Sequence, residues 1–202
     1  MKRELNISRL EEILGDIFND SSDVYILFVD LCGSTAFKQN NIEFVWVQRQ
    51  LIFLQRVAEF VRKRDGIVVK TIGDELMAIF QASIVPEDIL KCAIEIVQYF
   101  KDSRLFRGNQ KIEAKVSIDF GQTYNGSIVN TLVYDPIGTP VDRCARLNSI
   151  TKNNEITFSE DFKSTLLTNS SEAQLQEKYG YEIRLEDLKG IQKTTVYCIK
   201  IE

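Results

Sequence analysis

Two aspartates stand beside short turns, where their carboxylates could bind divalent cations. Asp30 ends the apolar run 24–29 and leads into the small residues of 32–35 (Cys-Gly-Ser-Thr), and Asp74 lies in the turn 72–75 (Ile-Gly-Asp-Glu). Two such carboxylates suit a pair of metal ions ~3.5–4 Å apart, which clamp the attacking and leaving oxygens of a phosphoryl transfer. Backbone N–H groups of a turn can hold the phosphate oxygens. Each aspartate alone is more often a helix cap or an ordinary turn residue, so this prediction requires the fold to bring both together.

A second group of polar residues lies between Asp135 and Arg146. Asp142 and Arg146 are four positions apart and therefore share one face of the helix predicted at 139–149. An arginine held there could stabilise charge on a transferring phosphate, as arginine fingers do. The alternative is a surface ion pair between Asp142 and Arg146, which is common on helices and nearly neutral in energy.

The composition excludes several classes of protein. The chain of 202 residues has no histidine, which excludes Ser-His-Asp and Cys-His nucleophiles, His-ligated zinc and imidazole proton transfer. Its net charge of −4 argues against a nucleic-acid-binding protein that works by bulk electrostatics. No CxxC spacing occurs, so we expect free thiols in a reducing compartment rather than a zinc cluster; the cysteines are Cys32, Cys92, Cys144 and Cys198.

The N-terminus lacks the apolar core of a signal peptide. The longest clean apolar run, 24–29, is far shorter than the ~20 residues of a membrane helix. We therefore expect a cytoplasmic protein with no membrane partner.

The apolar pattern predicts one domain of alternating strands and helices. We expect a helical extension over 1–23, helices at 42–64, 86–100 and 139–149, and strands at 24–29, 67–70, 76–80, 112–120, 127–134, 180–186 and 194–200. The early order β-α-β-β-α-β is the ferredoxin-like split unit, so the expected fold class is α+β with a C-terminal extension. A right-handed crossover makes the first two strands parallel, which predicts that Asp30 and the turn with Asp74 emerge at the same edge of the sheet.

Three motifs, in this order and on this topology, resemble those of the class III nucleotidyl cyclases, the adenylate and guanylate cyclase superfamily. They are 28–35 (Phe-Val-Asp-Leu-Cys-Gly-Ser-Thr), 70–75 (Lys-Thr-Ile-Gly-Asp-Glu) and the stretch from Asp135 to Arg146. The resemblance covers 24–150, the core of a cyclase catalytic domain, and is weaker over 151–202, which we expect to be the C-terminal part of the same domain.

The resemblance implies an enzyme that converts a nucleoside triphosphate into a 3′,5′-cyclic nucleotide and pyrophosphate with two divalent cations, Mn²⁺ or Mg²⁺. It implies an antiparallel homodimer, in which one chain gives the metal aspartates of a site and the other gives Lys70, Asp135 and Arg146. The implied site residues are Asp30, the Leu31 carbonyl and Asp74 for metal, Gly33, Ser34 and Thr35 for phosphates, Lys70 and Asp135 for the base, Asp142 for the ribose, Arg146 for the transition state, and Lys189, in preference to Lys193, for the terminal phosphates.

The sequence departs from the family pattern at two of these positions. Asp142 stands where the family usually has asparagine; a carboxylate can accept a hydrogen bond from a ribose hydroxyl but cannot donate one. Beside a triphosphate this carboxylate would also repel the phosphates unless it is paired with a cation such as Arg143 or Arg146. Ser34 replaces the aromatic residue usual in the first turn.

The base that the enzyme binds is the open question. In adenylate cyclases of this family the positions of Lys70 and Asp135 contact adenine, and an acid replaces the lysine in guanylate cyclases. Two features argue against adenine. The first is Asp142, which departs from the family pattern. The second is the pair of bulky side chains Phe44 and Trp46, which could narrow the base pocket and exclude a purine unless they simply pack in the core. A lone catalytic domain with Val-Asp-x-Cys-Ala-Arg resembles the pyrimidine cyclases of bacterial antiphage (Pycsar) signalling, whose product acts on a separate effector protein.

We therefore expect conversion of UTP to cUMP ahead of CTP to cCMP, because a lysine donor suits a uracil carbonyl better than an amino group. An adenylate cyclase that makes cAMP is the first alternative. A degenerate domain that binds nucleotide without turnover is the second. A diguanylate cyclase is disfavoured, because the chain lacks the Gly-Gly-(Asp/Glu)-Glu-Phe signature.

Overall fold

The computed structural model describes residues 21–103, 112–124, 135–191 and 193–202. The helix expected before residue 21 and the strand expected at 127–134 lie outside these ranges. The elements, in chain order, are β1 (Ser21–Leu31), α1 (Ser34–Asn40), α2 (Glu43–Arg62), β2 (Ile67–Ile72), β3 (Glu75–Gln81), α3 (Pro86–Asp102), β4 (Ala114–Tyr124), α4 (Thr139–Ile150), β5 (Glu155–Ser159), α5 (Glu160–Leu166), α6 (Glu172–Tyr179), β6 (Glu182–Glu186) and β7 (Thr194–Lys200).

The strands form one seven-stranded sheet in the order β2-β3-β1-β4-β5-β7-β6. β1 and β2 are both antiparallel to β3, so they run in the same direction, as the crossover predicts. The unit β1-α2-β2-β3-α3-β4 confirms the ferredoxin-like core. β5 pairs parallel to β4, and β7 and β6 then continue the same sheet. The α+β fold with a C-terminal extension is therefore confirmed.

β1 lies inside the sheet, and its side chains alternate between two apolar layers. Leu27 and Val29 pack in the layer that contains the buried faces of α2 and α3. Ile26 and Phe28 point to the other side, where they meet Cys144 of α4. The apolar run 24–29 thus forms a strand buried on both faces, as its composition predicts. This buried strand carries Asp30 as its penultimate residue.

Some local expectations are wrong. Residues 21–23, expected to belong to the N-terminal extension, begin β1, because they pair with Gln122, Thr123 and Tyr124 of β4. The pattern also does not predict α1, or β5, α5 and α6 in the stretch after residue 150. β5 has only five residues, all buried, and pairing with β4 and β7 defines it rather than any local periodicity.

All four cysteines are buried free thiols, as expected. Burial raises the pKa of Cys92 to about 12, so this thiol stays protonated at neutral pH and is a poor nucleophile. No helix in the described ranges is long and apolar enough to cross a bilayer.

Candidate active site

Asp30 and Asp74 lie at the same edge of the sheet. Asp30 is the penultimate residue of β1 and pairs in register with Glu75, the first residue of β3. Asp74 directly precedes Glu75 in the turn between β2 and β3. The side chains of Asp30 and Asp74 are 24% and 17% exposed, so both carboxylates are shielded but accessible to a small ligand.

Each of these carboxylates is paired with a lysine that the sequence motifs do not include. Lys115 Nζ lies 3.1 Å from Asp30 Oδ2, and Lys38 Nζ lies 3.5 Å from Asp74 Oδ1. Lys115 is the register partner of Asp30 in the β1–β4 pair, a relationship that becomes visible only once the strands are paired. Lys38 lies on α1, the helix that the sequence pattern does not predict. The two ammonium groups reduce the repulsion between neighbouring carboxylates.

The turn that carries Asp74 is held by helix α2. Gly73 has a left-handed backbone with φ 65°, which glycine adopts without strain. Gln50 Nε2 donates a hydrogen bond of 2.7 Å to the Gly73 carbonyl. The buried Arg49 stacks 4.5 Å from the centre of the Phe37 ring. Burial lowers the pKa of Arg49, and the charge of Asp74 opposes that shift, so this guanidinium adds a further cation to the surroundings of Asp74.

Glu75 connects this hairpin to helix α4. Its Oε2 accepts a hydrogen bond of 2.6 Å from Nδ2 of the fully buried Asn148. Burial raises the pKa of Glu75; the Asn148 hydrogen bond opposes this rise, and the charges of Asp30 and Asp74 add to it. The contact ties the hairpin with Asp74 to the helix that carries Arg146.

The turn after Asp30 is open to solvent. Gly33 is the N-cap of α1, with φ 69°, and no side chain caps this helix end. A Cβ added at Gly33 would meet no atom within 4 Å. Gly33 and Thr35 are exposed and Ser34 is half-buried. The backbone of the three predicted phosphate-binding residues is therefore reachable beside Asp30.

Lys70 and Asp135, the predicted base-contact residues, form an ion pair. Lys70 Nζ donates to both carboxylate oxygens of Asp135, at 2.8 Å to Oδ1 and 2.6 Å to Oδ2. Their side chains are 36% and 41% exposed, so both groups can be reached by a ligand. Residues 65 positions apart in the chain are thus brought into direct contact.

Helix α4 presents Asp142 and Arg146 without pairing them. Asp142 is exposed and Arg146 is half-buried, and the ion pair considered for this helix face does not form among the described residues. A Cβ added at Gly190 would lie 3.7 Å from Nη2 of Arg146. The loop that carries the exposed Lys189 therefore runs directly beside the Arg146 guanidinium.

Arg143 pairs with other acids instead of Asp142. Its Nε and Nη2 donate to the two oxygens of the buried Asp119, at 2.6 and 2.7 Å, and Nη2 also contacts Asp161. The hydrogen bonds to Asp119 raise the pKa of Arg143. Arg143 is therefore not available to pair with Asp142 in the described part of the chain, because the buried Asp119 binds it in a bidentate geometry.

Phe44 and Trp46 near the start of α2 differ in exposure. Phe44 is 73% exposed, so the core-packing explanation is wrong for this residue. Trp46 is half-buried, and Lys38 Nζ lies 5.3 Å from the centre of its ring. Because Lys38 also contacts Asp74, Trp46 belongs to the surroundings of Asp74.

The oxygen ligands at this edge fit a divalent ion that arrives together with a phosphate ligand. The ranges that the structure describes contain no group of three or more His, Cys, Asp or Glu side chains arranged to hold a metal. Asp30, Asp74 and the Leu31 carbonyl are hard oxygen donors of the kind that Mg²⁺ and Mn²⁺ prefer. Mg²⁺ is commonly held by one or two carboxylates plus substrate phosphates and water, which matches this small donor set.

Residues 18–201 match the family model described as the adenylate and guanylate cyclase catalytic domain. The chain belongs to this family. Among solved structures, the guanylate cyclase domain of RhGC from Catenaria anguillulae, in complex with GTP, is 17% identical with a TM-score of 0.73 over 90% of this chain and 97% of that chain. The adenylyl cyclase CyaB from P. aeruginosa is 18% identical with a TM-score of 0.73 over 90% of this chain and 95% of that chain. These structures share the fold of this cyclase domain.

The curated relatives are much longer proteins. An uncharacterised protein of Mycobacterium tuberculosis is 28% identical over 133 residues, which are 63% of this chain and 24% of that protein. The cyclase domain thus spans about a quarter of the length of the curated relatives it matches.

The predicted site residues of this cyclase domain form three groups that, within the described ranges, are not bonded directly to one another. Among the described residues, no hydrogen bond or ion pair joins Asp30 or Asp74 directly to the residues predicted for the base and the transition state. One group is Asp30, Asp74 and the turn of Gly33, Ser34 and Thr35; the others are Lys70 with Asp135, and Arg146 with the loop of Lys189.

Proposed function

We propose that the chain is a nucleotidyl cyclase that converts a nucleoside triphosphate into its 3′,5′-cyclic monophosphate and pyrophosphate. The observation that carries the proposal is the position of Asp30 beside the Asp74 turn, next to the open backbone at Gly33. Two carboxylates with an adjacent phosphate-binding turn suit metal-assisted phosphoryl transfer.

Asp30, Asp74 and the Leu31 carbonyl would hold two divalent cations, Mn²⁺ or Mg²⁺. Bound there, the ions supply charge neutralisation for the phosphates and favour ionisation of the 3′-hydroxyl. Lys38 and Lys115, which pair with Asp74 and Asp30 in the structure, contact the same carboxylate oxygens that would bind these ions.

The remaining residues align the substrate. In the reaction a bond forms between O3′ and the α-phosphorus, the bond from that phosphorus to the bridging oxygen breaks, and the hydroxyl proton leaves to solvent. The backbone of 33–35 binds the terminal phosphates together with Lys189, and Asp142 accepts a hydrogen bond from the ribose. Arg146 stabilises the charge that develops at the α-phosphate. Nucleophile and electrophile belong to one molecule, so alignment contributes much of the rate.

A homodimer would complete the site. An antiparallel dimer, as implied by the family resemblance, lets the metal edge of one chain meet the base-binding and arginine residues of its partner, and gives two equivalent sites.

The substrate that we propose is a pyrimidine triphosphate, UTP before CTP. The Lys70–Asp135 pair offers one donor and one acceptor, which can meet a uracil carbonyl and its ring N–H, or equally an adenine ring nitrogen and its amino group. The size of the base must therefore distinguish a uracil substrate from an adenine substrate. We infer that Phe44, which is exposed and so not used in the core, narrows the base pocket and thereby favours the smaller base. The second candidate is ATP, favoured by the same Lys70–Asp135 pair.

Incubation of the purified protein with Mn²⁺ and each of ATP, GTP, CTP and UTP, followed by mass identification of the products, tests this proposal. Cyclic UMP is the expected product. Cyclic AMP would make the chain an adenylate cyclase, and pyrophosphate release without any cyclic product would contradict both. Pyrimidine product would also support a role in antiphage signalling through a separate effector protein that binds the cyclic nucleotide. No product from any of the four would support a nucleotide-binding domain without turnover.

A further inference from the structure

Lys38 connects the candidate metal edge to the single tryptophan of the chain. Its Nζ lies 3.5 Å from Asp74 Oδ1 and 5.3 Å from the centre of the Trp46 ring. The side chain of Lys38 is 34% exposed. One ammonium group thus contacts a carboxylate and an aromatic face at the same time.

The contact with Asp74 has the features of a displaceable ion pair. A single contact at 3.5 Å between a flexible, partly exposed lysine and a carboxylate is weak. A divalent ion that binds Asp74 carries twice the charge of the ammonium group and competes for the same oxygen. It also repels the ammonium group once it is bound.

We propose that Lys38 is an exchangeable cation of this site: it holds Asp74 in the metal-free protein and is displaced from that carboxylate, and from the Trp46 ring, when a divalent ion binds. The inference rests on the proposed function, because it requires metal at Asp74. Lys115 is less suited to the same exchange. It is only 19% exposed and lies on a strand that pairs with β1 through the register position of Asp30.

The affinity for Mg²⁺ should rise in Lys38→Met. Without the competing ammonium group, the variant should bind Mg²⁺ about five- to tenfold more tightly than the wild-type protein, as measured by isothermal titration calorimetry. A purely structural role of Lys38 would instead weaken Mg²⁺ binding in the variant.

Trp46 fluorescence reports the displacement itself. Mg²⁺ should change the emission of the wild-type protein, because the ammonium group leaves the indole ring, and should leave the emission of Lys38→Met unchanged. Lys38→Gln, which keeps a polar side chain, should behave as Lys38→Met does. Lys63→Met, at an exposed lysine just after α2, removes the same charge elsewhere and should match the wild-type protein.

Equal Mg²⁺ affinity in the wild-type and both Lys38 variants, or weaker Mg²⁺ binding in the variants, would overturn the role of Lys38 alone. A wild-type protein that does not bind Mg²⁺ would overturn the proposed function as well. The calorimetric titrations therefore separate the two failures.

Discussion

Asn148 of α4 and Glu75 of β3 are joined by a hydrogen bond of 2.6 Å across 73 positions of sequence. Asn148 follows Arg146 by two positions, and Glu75 directly follows Asp74. A single side-chain contact thus connects the hairpin of the candidate metal edge to the helix of the candidate transition-state arginine.

Asn148→Ala should reduce the stability of the protein. The substitution leaves Glu75 half-buried without its amide donor and removes packing at a fully buried position. We expect the free energy of unfolding, measured by urea denaturation, to fall by about 1–3 kcal/mol. Asn153→Ala is the matched control, because it removes an exposed Asn–Glu hydrogen bond of 2.9 Å to Glu113 and should cost far less. Equal losses in the two variants would contradict this role of Asn148.

Asp30→Asn and Asp74→Asn should each abolish cyclic nucleotide formation while the fold persists. Each substitution removes a proposed metal carboxylate but keeps the shape of the side chain. The lost ion pairs with Lys115 and Lys38 are partly exposed, so unfolding free energies should change by about 1 kcal/mol or less. Activity is measured by product mass and stability by urea denaturation. Substantial turnover by either variant would show that the two-metal assignment is wrong.

The sequence predicts the fold well where its signals are local or topological. Alternating and helical apolar patterns define β1, α2, α3 and α4, and the handedness of the crossover predicts that Asp30 and Asp74 share an edge. The lysine partners of Asp30 and Asp74 could not be predicted, for a physical reason. The β1–β4 register places Lys115 beside Asp30, and helix α1 places Lys38 beside Asp74. Neither that register nor that helix has a distinct local signal in the sequence.

Pairing among charged residues is predicted less well than their position. The motif spacing correctly predicts that Asp142 and Arg146 lie on one helix. It cannot reveal that the buried Asp119 forms an ion pair with Arg143. Burial decides that competition, because an unpaired carboxylate in the interior costs far more than an unpaired carboxylate in water. Asp142 therefore remains exposed and without an ion pair among the described residues.

Lys70→Met and Asp135→Asn should change substrate affinity without changing metal binding. Both residues lie in the ion pair proposed to contact the base, and among the described residues neither bonds to Asp30 or Asp74. We expect KM for the preferred nucleoside triphosphate to rise at least about tenfold, which corresponds to the loss of a charge-assisted hydrogen bond. The Mg²⁺ affinity measured by calorimetry should stay unchanged. An unaltered KM for all four triphosphates would remove this pair from base recognition.

Arg146→Ala and Arg143→Ala should have opposite profiles, although the residues lie on the same helix. Arg146 has no ion pair among the described residues and lies beside the Lys189 loop. Its loss should reduce kcat about 10³-fold or more, as for arginine fingers, with little change in stability. Arg143 neutralises Asp119, whose side chain is 0% exposed. Its loss leaves an uncompensated buried carboxylate and should lower the free energy of unfolding by about 3–5 kcal/mol.

Steady-state kinetics and urea denaturation of both variants separate these roles, provided that turnover is measured at a temperature where Arg143→Ala remains folded. Arg143→Ala should then retain most of its kcat, because its guanidinium is engaged by Asp119 and Asp161 rather than by substrate. A mild kinetic effect of Arg146→Ala would reduce Arg146 to a structural residue. A large loss of kcat in folded Arg143→Ala would instead indicate that the Asp119 pair positions helix α4 for catalysis.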